Sequence, residues 1–189
     1  MGVPVPFAPI QIILMELFMD LAASVTFANE PAEADVMHEP PRNPKARFID
    51  GPMAGSIFGA GAGLFAAVSV TYLVTWYTSG DDLVRAQTVA FVSWLLGHVF
   101  LAINLRSERE PLSRLGFFSN RLMILWAVAA IAFVLFATLV PGVQNLLRTT
   151  TLRGQDWLLV LIATVIGTFW IEIPKVILWR GNSQWQETA

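Results

Sequence analysis

Glu16 and Asp20 are the first residues of this 189-residue chain whose type and spacing could do chemistry. They stand four apart within "LMELFMDLAA", residues 14–23, where every neighbour is Leu, Met, Phe or Ala. On a helix that spacing sets both on one face, about 6 Å apart along the axis. Two carboxylates that close repel, so one holds a proton or both share a cation. Either state suits transport. A water-soluble acidic stripe would need a polar face, yet only Gln11, Ser24 and Thr26 add other polar side chains here. Inside a bilayer an ionised acid costs about 3 kcal/mol or more, and such residues usually face an ion or proton path. The plainer alternative is that both lie near the outer interface and reach water there.

His98 is a second candidate, set among Trp94, Leu96, Val99 and Phe100. A lone imidazole in such company is ordinarily a packing residue. A carboxylate partner across the bundle would change that, because a protonated histidine could neutralise one of the acids. Glu172 and Lys175 are three apart and oppositely charged, and read most simply as a structural ion pair on a helix surface.

The elements that must position these groups follow from composition. The chain is 55% hydrophobic and 14% charged, where soluble domains carry about 25% charge. This is a membrane composition. The absence of Cys excludes disulfides, thiolate metal sites and cysteine nucleophiles. A formal charge of −2 gives no sign of a nucleic-acid partner, and no nucleophile–base arrangement or phosphate-cradling glycine loop is present.

Five stretches approach the ~20 apolar residues that a bilayer-crossing helix needs. They are residues 9–28, 54–77, 86–105, 122–140 and 157–179, and the predicted fold is an all-α membrane protein, a bundle of five transmembrane helices. Trp76, Tyr77, Trp157 and Trp179 fall at span ends, where amphipathic rings prefer the interface. Residues 29–53 hold five of the eleven prolines and read as a long cytoplasmic loop. Residues 29–53, 106–121 and the end from Lys175 carry nine Lys or Arg, whereas the N-terminus, 78–85 and 141–156 carry three. That bias places the N-terminus outside and the C-terminus in the cytoplasm, with the plasma membrane as the expected location. An odd number of spans with an uncharged external N-terminus leads to the expectation that further sequence precedes Met1.

Gly55, Gly59 and Gly63 recur every four residues on the second span. In a membrane helix such a stripe lets another backbone approach closely. It is expected to receive a helix that this chain does not itself contain.

These residues together resemble a known family. "VPFAPIQIILMELFMDLAASVTFANEPAEADVM" resembles the sixth membrane helix of P-type cation-transporting ATPases and the acidic segment that follows it. "LAINLRSEREPLSRLGFFSNR" resembles the end of the family's eighth helix and the loop to the ninth, and "WIEIPK" the end of the tenth. The resemblance implies a C-terminal transmembrane portion, helices six to ten, in which Glu16 and Asp20 take the two cation-coordinating positions of the sixth. His98 falls where calcium pumps place a carboxylate. Met19 replaces a hydroxyl residue and Leu21 a glycine. Calcium takes six to eight oxygen ligands, so the fewer oxygens here fit a proton, a monovalent ion or a single calcium better. The transported cation, H+, Na+, K+ or Ca2+, stays open.

By the same resemblance the partners are the lipid bilayer and the family's remaining helices and cytoplasmic domains, or a complete pump. ATP and Mg2+ belong to those other domains. The Asp-Lys-Thr-Gly phosphorylation signature is absent from the sequence, and this chain alone is not expected to hydrolyse ATP. Two other readings are open at this stage: a stand-alone channel or carrier using Glu16, Asp20 and His98, and a regulatory subunit that docks on a complete pump.

Overall fold

The computed structural model describes residues 2–17, 23–31, 49, 51–107, 111–116 and 118–177. The regular elements among them are helices, and the chain is an all-α membrane bundle. The first apolar stretch supplies α1 (Pro9–Glu16) and α2 (Ser24–Ala28). Pro9 opens α1 at a position where no helical N–H is lost, and the Gln11 side chain reaches back to accept the Ala8 N–H at 3.0 Å. Leu17 and Ala23 are both π-helical. The helices that follow are α3 (Gly51–Thr78), α4 (Leu83–Asn104), α5 (Leu112–Leu115), α6 (Arg121–Leu139), α7 (Pro141–Leu147) and α8 (Gly154–Phe169). After a turn at Trp170 and Ile171 a further helical stretch covers residues 172–177.

Helices α3, α4, α6 and α8 begin at 51, 83, 121 and 154 rather than at the expected 54, 86, 122 and 157. Polar residues that hydropathy alone leaves out help to start them. Asp82 accepts the Arg85 N–H at 3.0 Å, and Asn120 accepts the Met123 N–H at 2.9 Å. Asp156, in the first turn of α8, accepts the Arg153 N–H at 2.8 Å.

Hydrogen bonds sort the ends of these helices into two sets. At one end Tyr72 donates to the Pro4 carbonyl at 2.7 Å and Gln87 to the Val5 carbonyl at 2.9 Å. Gln11 joins the same end by donating to the carbonyls of Leu147 and Arg148, each at 3.3 Å. At the opposite end Asn120 donates to the Thr26 carbonyl at 2.8 Å, and Lys175 donates to the Asn104 carbonyl. The described segments therefore alternate between the two ends. Helices α3, α4 and α6 are long and apolar enough to cross a membrane, and α8 is a shorter apolar helix.

Helix α4 is the hub. Inside the bundle 72% of its apolar window is buried, against 33% for α3 and for α6. Its faces have different neighbours. Phe91, Val92 and Leu95 share a core with Met15 of α1 and Val134 of α6, and Val99 and Ala102 share one with Ala23 and Trp126. Ala86 and Ala90 pack with Leu64, Val68 and Tyr72 of α3 instead.

One member of the glycine stripe of α3, Gly63, meets a helix of this same chain, where the sequence led to the expectation of an outside partner. A Cβ on Gly63 would collide with the Gly167 carbonyl oxygen of α8, and one on Gly167 would stand 2.6 Å from the Gly63 carbonyl oxygen. Trp170 covers Gly59, where an added Cβ would lie 3.0 Å from the indole. Gly55 has no neighbour within 4 Å of that position. Contact between backbones is why Gly63 and Gly167 carry no side chain.

Candidate cation site

Helix α1 presents Gln11 and Met15, four apart, to the core, and both are buried. Glu16, one residue on, is turned about 100° from Met15 and lies exposed. Ile12, Ile13 and Leu17 are exposed too, so the carboxylate stands on an apolar surface of the bundle rather than among its core. The side chain makes no hydrogen bond or ion pair with another described residue. Asp20 lies outside the described residues.

His98 is half-buried on α4. Its Nδ1 lies 2.9 Å from the Trp94 carbonyl oxygen, and its ring centroid lies 3.8 Å from that of Trp94, the two planes tilted by 43°. A carbonyl only accepts, so Nδ1 carries the proton, and Nε2 of the neutral ring keeps its lone pair. Gln87, Trp94 and His98 share one side of α4 by their spacing. Gln87 bonds the segment leading into α1, and Trp94 lines a groove with Pro4, Pro6 and Phe7. That side therefore faces the start of the first span. Along α4, Leu95 shares a core with Met15 and Val99 shares one with Ala23, so His98 lies at a level between them. Among the described residues no three His, Asp or Glu side chains converge to hold a metal ion.

Glu172 and Lys175 form an ion pair of 2.9 Å, in which Lys175 is buried and Glu172 largely so. Lys175 also donates to the Asn104 carbonyl, and Glu172 accepts the Leu112 N–H at 3.0 Å. The pair fastens the last helical stretch to the end of α4 and the start of α5, and these added hydrogen bonds help its charges to leave water.

Two further ionic contacts join segments far apart in sequence. Arg85 meets Asp156 in a two-pronged contact of 2.7 and 3.1 Å, tying the start of α4 to the start of α8. Arg106, just past the end of α4, meets Glu30 through Nε at 2.9 Å and Nη2 at 2.6 Å. It also donates to the Gly116 carbonyl at 3.0 Å and to the Ser119 hydroxyl. Asn120 donates to the other Glu30 oxygen at 2.7 Å. Sequence reading counted Arg85 and Arg106 only as charges beside spans. The opposing signs were visible, whereas the pairing across 71 and 76 positions was not.

Known proteins contain similar sequences. The family described as cation transporting ATPase, C-terminus, matches residues 4–177. A calcium-transporting ATPase of Bacillus subtilis is 27% identical over 169 residues, covering 89% of this chain and 19% of that protein. The potassium-transporting ATPase alpha chain 1 of Xenopus laevis is 26% identical over 221 aligned positions, with 97% and 21% covered. A probable cation-transporting ATPase F of Mycobacterium tuberculosis is 30% identical over 168 residues, with 87% and 18% covered. The chain thus spans about a fifth of the length of these relatives.

Proposed function

The chain belongs to the C-terminal family of the cation-transporting ATPases, and from that premise we propose that it supplies one side of a cation path through the membrane. The first span lines the path. Glu16 and Asp20 are its ligands, and His98 is a neighbouring ligand or counter-charge. The path is completed by helices like those that make up the rest of the relatives, and ATP and Mg2+ act in domains outside this chain. The cation is cargo, taken up and released rather than kept.

The observation that carries this reading is the placing of Glu16. An ionisable side chain on an apolar helix, exposed and unpaired among the described residues, needs a cation, a proton or a polar partner once it is in lipid. On α1 Gln11 and Met15 are packed whereas Ile12, Ile13 and Leu17 are exposed with Glu16, so that exposed side is the one on which further helices would close the site. The nine-to-three bias of Lys and Arg supports an outside N-terminus and a cytoplasmic C-terminus, and a plasma-membrane location is part of the same proposal.

Co-expression with a chain that supplies the preceding helices and the cytoplasmic domains tests it. Membranes holding both chains should hydrolyse ATP in response to a cation, and Asp20→Asn should reduce that response by about a hundredfold or more, as loss of a charged ligand does. Glu16→Gln should weaken it less. Unchanged cation dependence in Asp20→Asn would remove the assignment. Cation flux through liposomes holding this chain alone would favour the stand-alone carrier instead.

A further inference from the structure

The stretch that bears Glu16 is held at both ends by side chains of other segments, and we infer that the inner hold, made by Glu30, Arg106 and Asn120, positions it for cation binding. This rests on the reading that the first span lines the cation path. At the outer hold, Gln11 donates to the carbonyls of Leu147 and Arg148. At the inner hold, Asn120 donates both to the Thr26 carbonyl of α2 at 2.8 Å and to Glu30 at 2.7 Å. Arg106 takes the other Glu30 oxygen. Between the two holds lie the end of α1, the π-helical residues Leu17 and Ala23, and the start of α2.

The inner hold is built on fixed ground. Arg106 follows directly on α4, the most buried helix, and its side chain is only 2% exposed. Asn120 is buried and does a second job with its other atom, since its Oδ1 accepts the Met123 N–H and starts α6. One side chain thus fixes the start of α6 and the end of α2 together. Both Glu30 oxygens are taken by donors, so α2 cannot slide along or turn without breaking charge-assisted hydrogen bonds. The inner end of the span is tied to the α4–α6 frame, as its outer end is tied to the end of α7. Glu30, Arg106 and Asn120 touch no cation; they act through the span.

The two jobs of Asn120 can be separated. Asn120→Asp keeps an acceptor for Met123 but removes both donations and sets a second carboxylate against Glu30. Glu30→Gln removes the charge and leaves an amide facing the Asn120 amide. Combining E30Q with N120D reverses the direction of the hydrogen bond, with the amide at 30 donating to the carboxylate at 120. In membranes that also supply the preceding helices and domains, Ca2+, Na+ and K+ are titrated singly and ATPase activity is read. N120D and E30Q should each raise the half-saturating cation concentration about tenfold, the scale of one charge-assisted hydrogen bond, with the maximal rate held within about twofold. The double variant should recover part of the loss, the share carried by the bond to residue 30, because the donation to the Thr26 carbonyl stays lost. A half-saturation unmoved in the single variants, or a loss confined to the maximal rate, overturns the inference.

A second arm uses this chain alone, which contains no cysteine. Spin labels on V25C of α2 and V128C of α6, both at exposed positions, report the distance between those helices. The distribution should be narrow in the parent, broad with N120D, and intermediate with E30Q/N120D, which restores the bond at residue 30 but not the donation to Thr26. An unchanged distribution with N120D also overturns the hold. Absent cation-dependent ATPase in the parent, with the broadening present, would instead strike the proposed function and leave the hold standing.

Discussion

Glu30 sits between two opposed effects on its proton. Burial pushes its carboxyl up, but hydrogen bonds from Arg106 and Asn120, with the Arg106 charge, outweigh burial and hold it below the usual carboxylate range. Those two are the described side chains bonded to it, one from the end of α4 and one from the start of α6. A carboxyl lowered on folding adds stability that is complete above its unfolded value and is lost as pH falls through the folded value. Glu30→Gln should therefore lower the melting temperature in detergent most near pH 7, and the gap to the parent should close below about pH 4. A gap that widens on acidification would contradict the geometry. At His98 the informative fact is the Trp94 carbonyl, which dictates the ring nitrogen that stays available. Sequence alone gave that histidine apolar neighbours and no hint of its tautomer.

Helices α3 and α8 make the sharpest test at the scale of elements. Gly63→Ala puts a methyl into the Gly167 carbonyl, and overpacking of this kind costs about 1–3 kcal/mol. Gly55→Ala meets nothing and should be neutral, or stabilising by up to about 1 kcal/mol through helix propensity. Thermal unfolding in micelles separates the two, and equal effects would mean that the α3–α8 crossing is misplaced. What was legible here was the repeat of small residues. Its partner was not, because Gly167 sits 104 residues later in a helix without a four-residue repeat of glycines. The long apolar runs announced α3, α4 and α6 directly. The turn at Trp170 and Ile171 was hidden, since both residues are as apolar as the helix they interrupt. Helix α7 was hidden for the opposite reason: it is short, and Pro141 and Gly142 at its start read as a loop.

For the molecule as a whole, the contact that most tests the bundle is Arg85 with Asp156. Both side chains are nearly buried, so removing one strands the other. Asp156→Asn should cost about 3–5 kcal/mol, whereas replacing both by apolar residues, R85M/D156L, should recover much of it. Equilibrium unfolding in mixed micelles would read both, and a harmless D156N would mean that the two helix starts are not joined. The same contact sets a schedule for biogenesis. Arg85 is synthesised 71 positions before its carboxylate partner, roughly 4 to 14 seconds at ribosomal speed. For that interval the innermost helix waits in the insertion machinery without the neighbour that neutralises it. A translational pause between the two codons would lengthen the wait and expose the nascent chain to membrane proteases.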